Sequence, residues 1–196
     1  MKKSLKSIIK LVMFVVVLLV FISCNKATSA NVTLETSNVT VDKENKSSNK
    51  TIYFAGPLFS DAEIEFNLKL TKVLEDCGYK VYLPQRDTGL VADLDNKPEK
   101  EKAHIIFESD VKGLMESDIL VMVLDGRVPD EGACVELGIA YANNKRCYGI
   151  KTDVRSFRKD LDINPMLSEC FIKIFKDSDG DSLIKTLKEY LSNNDL

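Results

Sequence analysis

The chain has 196 residues, of which 44% are hydrophobic and 29% are charged. This length suits one globular domain of about 150 residues with an additional segment. The formal net charge is −3, and basic residues are dispersed among acidic ones. A charge pattern of this kind argues against the basic surface of a nucleic-acid-binding protein.

The N-terminal segment has the pattern of an export signal. Three lysines among the first six residues precede an apolar stretch at 11–22 that is short for a membrane span, and Ser23 stands before Cys24. This pattern resembles a bacterial lipoprotein signal, in which the cysteine is lipidated and becomes the first residue of the mature chain. We therefore predict a signal peptide at 1–23. An ordinary signal peptide or a single anchor helix is the alternative.

Residues 24–50 are polar and contain almost no large apolar side chains. They are rich in Asn, Ser, Thr and Lys, so they cannot bury a hydrophobic core. We predict that they form a flexible tether and that the folded domain comprises residues 51–196. The lipid on Cys24 would then anchor the exported domain to a membrane of the bacterial cell envelope.

From Thr51 onward, short apolar runs alternate with longer stretches of helical period. Strands are predicted at 51–55, 80–83, 118–124, 146–150 and 171–175, and helices at 61–76, 100–116, 132–143 and 181–191. The alternation predicts an α/β fold, with a five-stranded parallel sheet that is doubly wound in the flavodoxin or Rossmann manner. In such folds ligands bind at the carboxyl ends of the strands.

Several chemistries lack their sequence signatures. No GxGxxG follows the first strand and no GxxxxGK[ST] is present, which argues against dinucleotide and P-loop sites. The cysteines show no CxxC spacing and His104 is the single histidine, so we predict no metal site and no cofactor. The DSDGDS stretch at 177–182 is interpreted as a turn and helix cap, because Lys188 stands where a calcium loop needs an acid.

Three acidic residues stand at unexpected positions. The helix at 132–143 would be apolar on nearly every side, and therefore buried, yet it contains Glu136. Asp110 lies within the apolar stripe of the helix at 100–116. Asp130 opens the helix that carries Glu136. A buried, unpaired carboxylate costs several kcal/mol, so each of these acids should be paired or should serve in chemistry.

Each of these acids also has a structural interpretation. Asp130 could cap a helix, and Asp110 or Glu136 could be a buried acid paired with a lysine or arginine. Tyr53, at the end of the first strand, could be a core residue. Taken together, carboxylates near the strand ends of one sheet suit cleavage of a glycosidic bond. In that reaction one acid attacks the anomeric carbon and another protonates the leaving group.

Three stretches and their spacing resemble the nucleoside 2-deoxyribosyltransferase family. They are IYFAGPLF (52–59), ESDVKGLMESDILV (108–121) and DEGACVELGIAYA (130–142). The resemblance covers most of residues 51–175, and the D-x-G-x-x-x-E-L-G block is its most specific part. It implies an enzyme that transfers 2-deoxyribose between purine or pyrimidine bases and needs no cofactor.

The resemblance also implies roles for individual residues. Glu136 matches the nucleophile that attacks C1′ of a 2′-deoxyribonucleoside and forms a covalent deoxyribosyl-enzyme. Asp110 and Asp130 match the acids that bind the base and protonate its ring nitrogen, and Tyr53 matches the tyrosine that orients the nucleophile. The positions expected to bind substrate are Gly56, Phe59, Gln85, Gly132, Asn164 and Met166.

Asn164 and Met166 belong to the stretch INPMLSEC (163–170), before the last predicted strand. An asparagine before a proline is commonly a turn residue. In the transferase family, however, an N-x-M stretch at this place reaches into the active site of an adjacent subunit. The resemblance therefore implies a homo-oligomer with shared active sites.

Two other functions stay open. Family members that hydrolyse deoxynucleoside 5′-monophosphates carry a serine and an arginine-glycine-rich loop after the first strand. Here Pro57 lacks an N–H and Asp61 would repel an anion, so a nucleoside is expected, with a 2′-deoxynucleoside or 2′-deoxynucleotide hydrolase as the alternative. A non-catalytic, nucleoside-binding lipoprotein is the second alternative, although a binding protein has no need of a buried ionised glutamate.

Overall fold

Five parallel strands form the sheet of the computed structural model, which describes residues 49–88, 94 and 96–196. The strands are β1 (Thr51–Ala55), β2 (Lys80–Tyr82), β3 (Ile119–Val123), β4 (Arg146–Lys151) and β5 (Lys173–Lys176). Their spatial order is β2-β1-β3-β4-β5, and every pairing is parallel. The helices are α1 (Asp61–Asp76), α2 (Pro84–Asp87), α3 (Glu99–Glu116), α4 (Glu131–Ala142), α5 (Pro165–Ser168) and α6 (Gly180–Asn193).

Helices cover both faces of this sheet, which confirms the predicted doubly wound α/β fold. Successive side chains of a strand point to opposite faces. Ile52 and Phe54 of β1 therefore pack in one hydrophobic core with α1 and α6. Tyr53 and Ala55 pack in the other core with α3 and α4. The second core leads to the carboxyl edge of β1, where a ligand site is expected.

The helix α1 begins where the sequence predicts because its first turn carries its own cap. Ser60 accepts a hydrogen bond from the Glu63 amide, and the Glu63 carboxylate accepts one from the Ser60 amide. The other long elements start and end within two residues of the predicted bounds. The short helices α2 and α5 were not predicted, because four residues are too few to show a helical period. Each begins with a proline, which favours the first helical position.

The expectation that α4 is buried on nearly every side is wrong. Leu137 is buried, but Val135 and Tyr141 are each 57% exposed. The apolar stripe of α3 is also only partly buried, since Ile106 is 40% exposed and Phe107 is 55% exposed. The described residues cover one face of each helix and leave the opposite apolar face in contact with solvent.

The predicted signal peptide at 1–23 lies outside the described residues, as do Cys24 and all of the predicted tether except residues 49 and 50. Among the helices that the structure does describe, none has both the length and the apolar character required to cross a membrane.

Candidate active site

A hydrogen bond between a tyrosine and a glutamate links β1 to α4. Tyr53 is fully buried, and its hydroxyl donates to Glu136 Oε1 at 2.7 Å. Burial raises the pKa of Glu136 to about 7; the hydrogen bond from Tyr53 opposes this rise, and the charges of Asp110 and Asp130 add to it. Burial and the adjacent Glu136 also raise the pKa of Tyr53, so the phenol keeps the proton that it donates.

Asp110 approaches the same site from α3. Thr88, which follows α2, donates a hydrogen bond from Oγ1 to Asp110 Oδ1 at 2.9 Å. Burial raises the pKa of Asp110, and the hydrogen bond from Thr88 acts in the opposite direction. Since Asp110 is close enough for its charge to raise the pKa of both Glu136 and Tyr53, the structure brings these three predicted residues together.

Asp130 stands at the N-terminus of α4 and acts as its cap. Its Oδ1 accepts a hydrogen bond from the Ala133 amide at 2.7 Å. Gly132 leaves room for this arrangement, because a Cβ added there would lie 3.1 Å from Asp130 Oδ1. Asp130 therefore caps α4, which is the structural interpretation that the sequence offered for it. It also lies near enough for its charge to act on Glu136.

No cation among the described residues forms an ion pair with the carboxylate of Glu136 or with that of Asp110. The polar partner of Glu136 is Tyr53, and the polar partner of Asp110 is Thr88. The lysine or arginine that a structural ion pair would require is therefore missing from this part of the chain. The described carboxylates also form no group of three or more ligands placed to hold a metal ion.

Tyr82 lies beside the site, although the sequence analysis did not identify it. Its ring stacks on Tyr53, with ring centroids 5.5 Å apart and an interplanar angle of 14°. Its hydroxyl lies 3.3 Å from Thr88 Oγ1 and 3.3 Å from Ser109 Oγ. The Tyr82 ring also packs against Gly113. An isolated glycine within a helix such as α3 is a sequence signal of close packing.

Replacing Gly113 by alanine is expected to destabilise the protein and displace Tyr82. An added Cβ would lie 2.7 Å from the Tyr82 ring, closer than carbon atoms approach without a shift. Overpacking of this kind costs about 1–3 kcal/mol. Gly138→Ala is the matched control, because a Cβ at Gly138 of α4 meets nothing within 4 Å. Thermal unfolding should show a lower midpoint for Gly113→Ala and an equal or higher midpoint for Gly138→Ala. Equal midpoints for the two variants would contradict the close contact.

The predicted substrate-binding residues near β1 and β2 have different surroundings. Gly56 follows β1, and a Cβ there would lie 3.1 Å from Val123 Cβ. Phe59 is 78% exposed, so its ring is available to a ligand. The amide of Gln85 is engaged by α1, because its Nε2 donates to the Ile64 carbonyl and its Oε1 accepts from Asn67.

Asn164 and Met166 line a cavity whose lining residues include neither Tyr53 nor Glu136. Asn164 caps the short helix α5, and its Oδ1 accepts a hydrogen bond from the Met166 amide at 3.0 Å. Met166 is 80% exposed. The cavity has a volume of about 260 Å³, and Arg127 also lines it.

Solved structures that are similar to this chain include the following three. A conserved protein from Enterococcus faecalis V583 is 25% identical, with a TM-score of 0.57 over 72% of this chain and 99% of that chain. A 2-deoxyribosyltransferase from Bacillus psychrosaccharolyticus is 20% identical, with a TM-score of 0.58 over 74% of this chain and 93% of that chain. A CMP N-glycosidase from Clostridium botulinum is 15% identical, with a TM-score of 0.49 over 72% of this chain and 100% of that chain.

A comparison with curated proteins gives no match. A comparison with protein families matches residues 52–189 to the family described as nucleoside 2-deoxyribosyltransferase. The matched range includes every described residue of the site, from Tyr53 on β1 to Glu136 on α4, and it spans more than half of the chain. The protein therefore belongs to the nucleoside 2-deoxyribosyltransferase family.

Proposed function

We propose that this protein transfers 2-deoxyribose between nucleobases by double displacement, with Glu136 as the nucleophile. The observation that carries the proposal is the hydrogen bond from Tyr53 to Glu136 Oε1 beside a second carboxyl group, Asp110. The bond fixes the orientation of the glutamate and leaves Oε2 for attack. A nucleophile held by one hydrogen bond and unpaired with a cation keeps its reactivity when it ionises.

The first step forms a covalent deoxyribosyl-enzyme. Glu136 Oε2 attacks C1′ of a β-2′-deoxyribonucleoside, and the C1′–N bond breaks. The bonding electron pair goes to the base nitrogen, and a proton comes to the base ring from the acids assigned by the resemblance, Asp110 and Asp130. Burial, which favours the protonated form of Asp110, suits that residue to the work of a general acid.

The second step regenerates the carboxylate. A nitrogen of the acceptor base attacks C1′ from the face that the first base left, and the bond between C1′ and Glu136 breaks. The proton lost by the acceptor nitrogen returns to the acid. Two successive inversions retain the β configuration, as in retaining glycosidases.

The loop after β1 favours a nucleoside over a nucleoside 5′-monophosphate as substrate. The amides of Phe59 and Ser60 both donate to Glu63 Oε2, at 3.0 Å and 2.9 Å. These are N–H groups that a phosphate at a helix N-terminus would otherwise use. Pro57 offers no N–H, and the Glu63 carboxylate adds a negative charge. Deoxynucleoside 5′-monophosphates are therefore expected to be poor substrates.

Incubation of residues 49–196 with deoxyinosine and adenine tests the proposal. Formation of deoxyadenosine is the expected product and indicates transfer. Free deoxyribose without deoxyadenosine would indicate the hydrolase alternative instead. Absence of both products, together with measurable nucleoside binding, would favour the non-catalytic alternative. A parallel reaction with deoxyinosine 5′-monophosphate measures the expected preference for the nucleoside.

We also propose that the protein is a homo-oligomer in which Asn164 and Met166 of one subunit complete the site of the next. The exposed apolar faces of the adjacent helices α3 and α4 support association, since a monomer rarely exposes a large apolar patch. Asn164 uses Oδ1 for its helix cap and leaves Nδ2 to donate to a sugar oxygen. A partner subunit would also exclude water that competes with the acceptor base.

Asn164→Ala is expected to raise KM for the nucleoside and leave the assembly intact, because the side chain would touch the sugar and not the apolar faces. Light scattering of the wild-type domain should give a mass of at least two chains, and the variant should give the same mass. A monomeric wild-type domain with full transferase activity would rule out the shared site.

The lipid anchor is a further proposal, and it rests on the lipoprotein-like pattern around Cys24. Cys24→Ser is expected to move the protein from the membrane fraction to the soluble fraction, because the lipidated cysteine would be its only firm attachment. Fractionation of cells followed by immunoblotting measures this change. Retention of the variant in the membrane fraction would indicate an uncleaved anchor helix.

A further inference from the structure

Three hydroxyl groups form a chain that ends on Asp110. The Tyr82 hydroxyl lies 3.3 Å from Ser109 Oγ and 3.3 Å from Thr88 Oγ1. Thr88 Oγ1 in turn donates to Asp110 Oδ1 at 2.9 Å. The mechanism proposed above uses Asp110 and assigns no role to any of these hydroxyls.

The middle member of the chain is held in place by its ring. The ring of Tyr82 stacks on that of Tyr53 and lies so close to Gly113 that no Cβ could fit between them. Tyr53 is itself bound to Glu136. The ring contacts therefore hold the Tyr82 hydroxyl in place relative to the proposed nucleophile.

A count of protons sets the direction of the chain. Each hydroxyl carries one hydrogen. When Asp110 is ionised, Thr88 gives its hydrogen to Asp110, so Tyr82 donates to Thr88 and Ser109 donates to Tyr82. Hydrogen bonds that run in one direction polarise one another. All three hydroxyls thus stabilise an Asp110 Oδ1 that carries no proton.

We infer that Thr88 is a positioning residue that keeps the acidic proton of Asp110 on Oδ2, the oxygen available to the leaving base. The inference rests on the proposed function, in which Asp110 works as a general acid. When the C1′–N bond breaks, the electron pair goes to the base, and the proton on Oδ2 moves to the base ring. Asp110 is left as a carboxylate whose Oδ1 keeps the hydrogen bond from Thr88.

The surroundings of Asp110 give this hydrogen bond a measurable effect. Among the described residues, the titratable groups whose charges interact with Asp110 are Tyr53 from β1 and Glu136 from α4, and Tyr82 from β2 is linked to it through Thr88; none of these is a cation. Burial raises the pKa of Asp110, and Thr88 supplies the hydrogen bond that opposes the rise. Since this bond favours the charged form, its loss raises the pKa of Asp110 further. The alkaline limb of activity should then move to higher pH, because a general acid works only while protonated.

Thr88→Val tests the inference, because valine keeps the shape of threonine and removes the hydroxyl. We expect kcat for deoxyinosine to fall by about ten-fold or more, with a smaller change in KM, because Thr88 acts through Asp110 and does not bind the substrate. The alkaline limb of kcat/KM should move to higher pH. Thr88→Ser, which restores the hydroxyl, should return both kcat and the alkaline limb towards the wild-type values.

Titration of the Asp110 carboxyl carbon by NMR in the same variants separates this inference from the proposed function. A raised titration midpoint in Thr88→Val that returns in Thr88→Ser supports the inference even if the wild-type protein transforms no nucleoside. An unchanged midpoint overturns it, and so does an active Thr88→Val enzyme with an unchanged alkaline limb. Failure of the wild-type protein to cleave any nucleoside overturns the proposed function instead.

Discussion

Glu136→Ala is expected to abolish deoxyribosyl transfer while the fold is retained. The substitution removes the oxygen that would bond to C1′, and loss of a covalent nucleophile costs more than about 10⁴-fold in kcat. The side chain is not a packing group of the core, and its one polar partner among the described residues is Tyr53. Circular dichroism should therefore show the same secondary structure for the variant and the wild-type protein.

Substitutions of Asp110 and Asp130 provide a comparison for the activity of Glu136→Ala. Asp110→Asn and Asp130→Asn should keep more activity than Glu136→Ala, because general acid catalysis contributes about 10²–10⁴-fold. Asp130→Asn also keeps a side-chain oxygen that can cap α4, so it should fold normally. Near-normal turnover by Glu136→Ala would show that the reaction needs no covalent intermediate at this residue.

The second large effect is a gain of stability in Glu136→Gln at alkaline pH. The pKa of Glu136 is raised from 4.5 to about 7 in the folded protein, chiefly by burial. The folded state thus binds the proton more tightly than the unfolded state, and the free energy of unfolding falls as pH rises from about 4.5 to about 7. The uncharged glutamine avoids this loss. The expected gain at pH 8 is on the order of 3 kcal/mol.

Urea unfolding at pH 4 and at pH 8 measures this effect. The difference between Glu136→Gln and the wild-type protein should be small at pH 4, where both side chains are neutral, and large at pH 8. Glu131→Gln is the matched control, because Glu131 stands on the exposed side of the same helix. Its effect should stay within about 1 kcal/mol at both pH values. A pH-independent difference for Glu136→Gln would show that the glutamate is not desolvated.

The sheet was predictable because short runs of consecutive residues indicate its strands and the starts of its helices. The run at 118–124 is apolar on both faces, and β3, which lies within it, is buried at every residue. The start of α1 is determined by Ser60 and Glu63, which form a capping box. The burial of α4 was mispredicted for a different reason. An apolar pattern shows that a face needs a partner, but it does not say whether the partner is the same chain.

The candidate site was predictable only where a residue contradicted its local pattern. Glu136 and Asp110 interrupt apolar helices, and the structure brings both close to Tyr53 of β1. Thr88 carries no such signal, because a threonine directly after the short helix α2 has the sequence character of an ordinary loop residue. Tyr82 carries no signal either, because tyrosine is a common residue in strands. Their roles depend on contacts across the fold, with Ser109, Asp110 and Gly113 on α3, which the order of residues along the chain does not reveal.

The most direct measurement of the central claim is the mass of the protein during turnover. Residues 49–196 are mixed with deoxyinosine without an acceptor base and quenched in acid within the first turnovers. The account predicts a population heavier by one deoxyribosyl group, with the modification on the peptide that contains Glu136, and its loss when adenine is added before the quench. Release of hypoxanthine with no modified protein at any time, or modification of another residue, would contradict the account.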